Sequence, residues 1–361
     1  MKKRTISLIL ILALWAGLAA FAWVKPPAES SDAERRPLEQ FPELSADSLL
    51  SGQFMQHFAD YAVDQFPLRD PFRTLNAWLT YYLLGQSDNN GIYLHDGYAA
   101  KMEYPMDENA IAFAAARFND LCDMYLADCK VHFALVPDKN YYLADSAGAL
   151  SMDYDALYSQ MAEAMPWAEL IDLRAHLDID DYYRTDTHWR QEQLLPAAQA
   201  IADRLGVTVP EFELMQIDRP FYGVYYGQAA LPMEPDTLHY LTNDILDNCT
   251  VYCHDNGVGS EVYDMTKLSS RDLYDVFLSG AAAVLEISNP AGQAGRELIV
   301  FRDSFGSAMV PLLIADYETV WVLDTRYVSP GMLGQFVEFG SQDVLFLYSA
   351  LILNSSSALR K

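Results

Sequence analysis

The sequence predicts an α/β protein with a mainly parallel sheet, and three observations carry that expectation. Residues 297–350 run strand, helix, strand, helix, strand, with the apolar runs LIVF, VWVL and VLFL separated by helix-length segments. Such alternation returns each strand parallel to the last, with helices on the sheet faces. An earlier apolar run, VHFALVP at 131–137, follows an Ala-rich segment whose apolar residues recur three and four apart. Finally, 361 residues with 51% hydrophobic and 13% aromatic side chains are ample for a packed core.

The elements follow in chain order. Lys2, Lys3 and Arg4 precede an apolar run over residues 6–24, close to the roughly 20 residues that a membrane-crossing helix needs. The positive-inside rule then puts the rest of the chain outside the cytoplasm. Ala20-Phe21-Ala22 also fits a small-x-small cleavage site, so residues 1–24 read as a signal anchor or a signal peptide. The product is extracytoplasmic either way, anchored if the helix is retained and secreted if it is cleaved after Ala22. Residues 25–44, rich in Pro, Ser and charge, read as an extended tether, and 45–361 as the folded domain.

Within that domain, aromatic and aliphatic residues at helical spacing over 54–79 predict two helices bent at Pro67 and Pro71. GIYLHDGYAA, with Gly91 and Gly97, predicts a strand, a turn and a strand. Helices are expected over 107–128, 153–165 and 190–205, the last stopped by Gly206, with a short strand at 170–173. Residues 210–290, Tyr-, Asn- and Gly-rich with weak periodicity, read as a loop-rich insertion of short strands and loops. The final segment supplies strand ELIVFRDSF, a helix over 306–317, strand TVWVLDTRY, a helix over 332–340 and strand DVLFLYSA. Ligands gather at the carboxyl ends of parallel strands, where Ser304, Arg326 and Tyr348 fall.

Charge narrows the partners. Fifty acidic against 24 basic residues give a formal charge of −26, a field that repels phosphate backbones and anionic lipid and excludes nucleic acid as a partner. Export permits disulfides, and of the three ways to pair four cysteines, Cys122 with Cys129 and Cys249 with Cys253 close the shortest loops. Cys249, Cys253 and His254 lack a second ligand pair for zinc, and there is no phosphate-cradling glycine loop. No metal or cofactor is expected.

YYRTDTHWR, 182–190, sets a carboxylate and an imidazole two residues apart. In extended backbone such residues point the same way, so Asp186 can fix one nitrogen of His188 and leave the other free to activate a serine. Ser304, directly after LIVF, is placed at a strand-to-helix corner where its Oγ can face the imidazole and backbone N–H groups can hold an oxyanion. Taken singly these signals are weak, because Asp-x-His also suits a surface turn and Asp-Ser also caps helices. Arg326 pairs with Asp324 or Asp303, or faces the cleft; Trp189 packs or touches substrate.

The pieces FADYAVDQFPLRDPF, LVPDKNYY, DTHW, FYGVYYG, DLYDVFLSG and above all LIVFRDSFGSAMVPLLIADYETVWVLDTRY resemble the DHHW family of exported bacterial proteins, related to alginate O-acetyltransferases and SGNH hydrolases. The similarity runs from Ser51 to Asn354. It implies an SGNH-hydrolase-like three-layer sandwich with Ser304 as nucleophile, His188 as base and Asp186 as its orienter. As oxyanion contacts it implies the Ser304 N–H and Arg326; Trp189, beside His188, and Tyr327, beside Arg326, join Arg326 as candidate substrate or oxyanion contacts. Thr187 stands where the family usually has His, and Arg302 where SGNH hydrolases have Gly. The resemblance further implies acetyl transfer onto hydroxyls of an extracytoplasmic polysaccharide, with a membrane-bound O-acyltransferase as donor. An exported carbohydrate esterase, or a non-catalytic glycan-binding component of an export complex, are the alternatives.

Overall fold

The structure is a computed structural model that describes residues 2–360, with side chains from residue 5. Two compact units divide the chain, residues 1–90 with 226–232 and residues 91–225 with 233–361. In the first, the apolar run is one helix, α1 (Lys2–Val24). Residues 25–44 form a small hairpin, Ser30–Ser31 against Arg36–Pro37, whose Arg36 donates to both oxygens of Asp64 at 2.8 and 2.6 Å. That pairing holds the Asp64 carboxyl down to about 2. Helices α2 (Gln53–Asp64) and α3 (Arg69–Trp78) follow, separated by the bend at Pro67 and by Leu68 in the left-handed region. Helix α3 continues as a π-helical turn, Leu79–Leu83.

The second unit is built on an eight-stranded sheet. Its strands in chain order are β1 (Lys130–Val136), β2 (Glu169–Asp172), β3 (Thr250–Cys253), β4 (Val258–Ser260), β5 (Val284–Ser288), β6 (Gln293–Arg302), β7 (Tyr317–Leu323) and β8 (Asp343–Ser349). They lie side by side as β4-β3-β5-β7-β6-β8-β1-β2. The run β7-β6-β8-β1-β2 is parallel, and β5, β3 and β4 extend it antiparallel. The short strands expected within 210–290 are present, and three of them belong to the main sheet itself, besides a separate hairpin, Glu213–Phe221 with Asp236–Thr242.

Successive side chains on a strand face opposite ways, and here both ways are dry. Leu298 and Val300 of β6 join one core with Leu345 and Leu347 of β8, while Ile299, Phe301, Val344 and Phe346 join the other. Each such side chain contributes about 1.5–3 kcal/mol when fully buried, which is why these runs are continuously apolar. The first core is closed by helix α7 (Leu195–Leu205) and the second by α4 (Glu108–Tyr125) and α6 (Tyr154–Ala164), giving three layers. The ends are set locally. Asp107 and Asp153 cap the starts of α4 and α6, and Gly206 at φ 66° ends α7.

Three expectations need correction. The helix after β6 is only Gly306–Met309, followed by a 3-10 turn Val310–Leu313; Pro311 has no N–H to continue an α-helix. Residues 332–340 likewise yield a 3-10 segment, Pro330–Gln335, since Gly331 and Gly334 penalise a helix interior. All four cysteines are free thiols. Cys249 and Cys253 bracket extended β3, where four residues at about 3.3 Å each exceed the ~7 Å Cα reach of a disulfide. The Cys249 and Cys129 thiols instead donate to the carbonyls of Ile245 and Gly340, at 3.2 and 3.3 Å.

Candidate active site

The Asp-x-His turn is a rigid loop. Tyr182 and Trp189 form its base as an antiparallel bridge, and Tyr183 N–H donates to the His188 carbonyl at 3.1 Å. Asp236 accepts from the N–H groups of Arg184 and Thr185 and from the Thr185 hydroxyl, at 2.9, 2.8 and 2.6 Å. From beneath, the buried Lys139 ammonium donates to the carbonyls of Tyr183 and Arg184 at 2.9 and 3.2 Å. Burial pushes its pKa down to about 7, against the pull of Asp186, Asp236 and Asp138.

At the tip of that loop the fully buried Asp186 carboxylate meets three donors. Oδ1 accepts from His188 Nδ1–H at 2.6 Å and from His188 N–H at 3.0 Å, and Oδ2 accepts from Val224 N–H at 2.7 Å. The last contact depends on Gly223, where a Cβ would stand 2.2 Å from Asp186 Cβ. With Nδ1 protonated toward Asp186, His188 Nε2 is an acceptor, and Ser304 Oγ–H donates to it at 2.8 Å.

The serine corner is fixed just as tightly. Asp303, fully buried, accepts from Ser349 N–H and Oγ–H at 2.8 and 2.6 Å with Oδ2, and from Phe305 N–H at 3.0 Å with Oδ1. Gly306 makes room for Arg302, whose Cβ would lie 2.6 Å from an added Cβ. Phe305 N–H is therefore spoken for and cannot hold an oxyanion, whereas Ser304 N–H has no acceptor among the described residues. With only four residues of α-helix behind it, the corner offers one backbone donor and little helix dipole.

Other candidates fall elsewhere. Trp189 is fully buried, donating Nε1–H to the Phe305 carbonyl at 3.1 Å, so it packs the corner and does not face substrate. Arg326 commits Nε and Nη2 to the buried Asp324 at 2.9 and 2.6 Å, which makes it first an ion pair. Exposed Tyr327 lies under the Arg326 guanidinium, 5.4 Å from ring centre to Cζ. Tyr348 is buried and shares a 3.1 Å hydrogen bond with Thr325. Arg302, in place of a glycine, turns into the core toward the Gly280 carbonyl and Asp324.

Sequence reasoning missed Tyr274. Its ring stacks on the His188 imidazole with centroids 3.9 Å apart and planes 7° from parallel. Burial holds its phenol far above its ordinary pKa, and the neutral hydroxyl is buried with no hydrogen-bond partner among the described residues. Gly223, Val224, Asp236 and Lys139 were also passed over as site residues. The pieces LVPDKNYY, FYGVYYG and DLYDVFLSG contain four of these five, yet no spacing rule ties loop residues to a histidine tens of residues away.

The three-layer α/β fold is SGNH-hydrolase-like, with a serine at the end of an inner parallel strand faced by an Asp-x-His turn. Within that class the sequence is specific: the DHHW protein family model matches residues 143–323, half of the chain and all three of Asp186, His188 and Ser304, and the chain belongs to the DHHW family. No curated protein matches it. Among solved structures it is similar to a DHHW family protein from Eubacterium siraeum DSM 15702, at 24% identity and TM-score 0.61 over 75% of this chain and 94% of that one. It is also similar to Bacillus cereus PatB1 with a sulfonyl adduct, at 18% identity and TM-score 0.58 over 73% and 95%. These likenesses establish the shared fold.

Proposed function

We propose that this chain is an exported, serine-dependent O-acetyltransferase that carries an acetyl group on Ser304 to hydroxyls of a cell-surface or secreted polysaccharide. The unbroken hydrogen-bond chain Asp186–His188–Ser304, 2.6 and 2.8 Å long, is the observation that carries this reading. Ser304 Oγ attacks the acetyl carbonyl carbon while His188 Nε2 takes the hydroxyl proton, and Ser304 N–H steadies the oxyanion. Collapse expels the donor's leaving group, which takes the proton back from His188. The acceptor hydroxyl then loses its proton to His188 and attacks the acyl-serine carbonyl, and Ser304 Oγ departs with that proton from His188, restoring the free enzyme. Asp186 stays ionised and stabilises the imidazolium. General-base help of this kind contributes about 10²–10⁴-fold.

The donor is a membrane-bound O-acyltransferase partner, and α1, apolar and long enough to cross a membrane, keeps the catalytic unit beside it as a retained anchor on the extracytoplasmic side. Incubation with a chromogenic acetyl ester and an oligosaccharide tests the reading: the expected products are acetyl-Ser304, found by mass spectrometry, and acetylated glycan. Ser304→Ala folds and yields neither. Free acetate as sole product in the presence of glycan makes the protein an esterase. Unchanged acetylation by Ser304→Ala, or failure of a sulfonyl fluoride to label Ser304 alongside intact glycan binding, overturns the enzymatic assignment.

A further inference from the structure

The first unit carries an apolar surface that acetyl transfer does not use. Helices α2 and α3 and the π-helical turn after them expose Met55, Val63, Leu75, Trp78, Leu83 and Leu84, with Leu84 75% and Leu83 67% accessible. Lone exposed leucines are ordinary, but a run of them along consecutive helices marks an interaction surface. The opposite side of the same helices is ionic. Asp64 takes Arg36, Arg69 pairs with Glu34, and Arg73 donates to the Gly227 carbonyl at 2.9 Å. The unit is thus two-faced, one side held by ion pairs and one side bare.

What covers the bare side follows from its continuity with α1. Trp15 of α1 lies 6.2 Å from Phe66, which lies 5.6 Å from Phe72 of α3. Trp23 lies 6.3 Å from Phe41, which in turn touches Phe58 and Tyr61 of α2 at 6.0 and 5.3 Å. The side chains of α1 are otherwise almost all exposed. Rings of one apolar surface therefore run without a break onto the other, and a solvent that suits α1 also reaches α2 and α3. Trp78 and Tyr82, apolar rings with one polar edge, suit the water–lipid boundary. Acidic side chains outnumber basic ones over residues 25–90, so attraction to anionic headgroups is not the driving force.

We infer that the α2–α3 face is a membrane-interfacial surface, seated in the acyl-chain boundary of the bilayer by apolar insertion and independent of headgroup charge. It takes its geometry from an α1 retained in the membrane, while its own chemistry stands without that helix. The test places benzoylphenylalanine, one site at a time, at Met55, Leu75 or Leu83 of the full chain reconstituted in phosphatidylcholine vesicles. Asp60 serves as a polar-face control and Leu12 as an anchor control, and retained acetyl-ester turnover reports that each labelled chain folds. On illumination the three apolar sites attach acyl chains and Asp60 does not, with yields unchanged by high salt or by added phosphatidylglycerol. Lipid capture at Leu83 without capture at Leu12 removes the anchor and keeps the interfacial face. Capture at Leu12 with none at the three sites, attachment of those sites to a second copy of the chain, or yields that collapse in high salt each overturn the inference.

Discussion

Asparagine in place of Asp186 separates orientation from packing, because the two side chains are nearly isosteric. Three donors converge on the carboxylate, two on Oδ1 and Val224 N–H on Oδ2, and an amide offers a single acceptor oxygen. With that oxygen kept toward His188, the amide NH₂ opposes Val224 N–H, and an unmet buried donor costs about 1–3 kcal/mol of stability. Turned the other way, the NH₂ faces Nδ1, the imidazole proton moves to Nε2, and Ser304 loses its base. Either way the imidazolium loses its counter-charge. The expected loss in turnover is about 10³–10⁴-fold, or roughly 4–5.5 kcal/mol at about 1.36 kcal/mol per tenfold, larger than the stability loss. Initial rates with a chromogenic acetyl ester, beside urea midpoints, read both quantities. A folded Asp186→Asn enzyme within tenfold of the parent would refute the orienting role.

Further outcomes follow from the same geometry. Tyr274→Phe keeps turnover, since the phenol has no partner, while Tyr274→Leu removes the stack on His188 and lowers turnover about two- to tenfold, the worth of an aromatic pair; equal rates for the two variants sink this reading. Gly223→Ala forces Asp186 aside and lowers turnover at least as far as loss of the stack, with about 1–3 kcal/mol less stability from overpacking; normal kinetics would show that the backbone shifts freely. Lys139 has a folded-state pKa near 7, so between there and the ordinary lysine range the unfolded chain binds the extra proton and stability rises with pH. Asp138 next to it is pushed up to about 7 by burial, so its contribution is greatest in acid and falls as pH rises to 7. Urea midpoints across pH should show a trough near neutrality, and Lys139→Met should flatten the alkaline limb. A wild-type midpoint that falls from pH 7 upward contradicts the buried lysine.

The parts legible in the sequence are those where burial dictates composition. LIVF and VLFL, short apolar runs alternating with helix-length segments, read as strands dry on both faces, and Ser304 at the end of one of them becomes a candidate only together with Asp186 and His188. The spacing of two let Asp186 and His188 face the same way, but an Asp-x-His turn is ambiguous by itself, and only its pairing with Ser304 and the DHHW resemblance singled it out. Tyr274 and Gly223 were not legible, because they lie in 210–290, whose short strands and loops carry no spacing that ties them to the main sheet or to His188. For Arg326 the sequence left an ion pair and a cleft-facing role open, and the neighbour decides: Asp324 holds it, as Thr325 holds Tyr348. The helix over 306–317 failed at Pro311, a breaker outweighed in the reading by the apolar pattern around it.

Strand β6 lies between β7 and β8, both made after it, and Asp303 is clasped by Ser349 at the end of the last strand. The Asp-x-His turn is held by residues made earlier, whereas the serine corner is complete only once residue 349 has joined the sheet. The nucleophile's setting is thus the last part of the site that chain synthesis can fix.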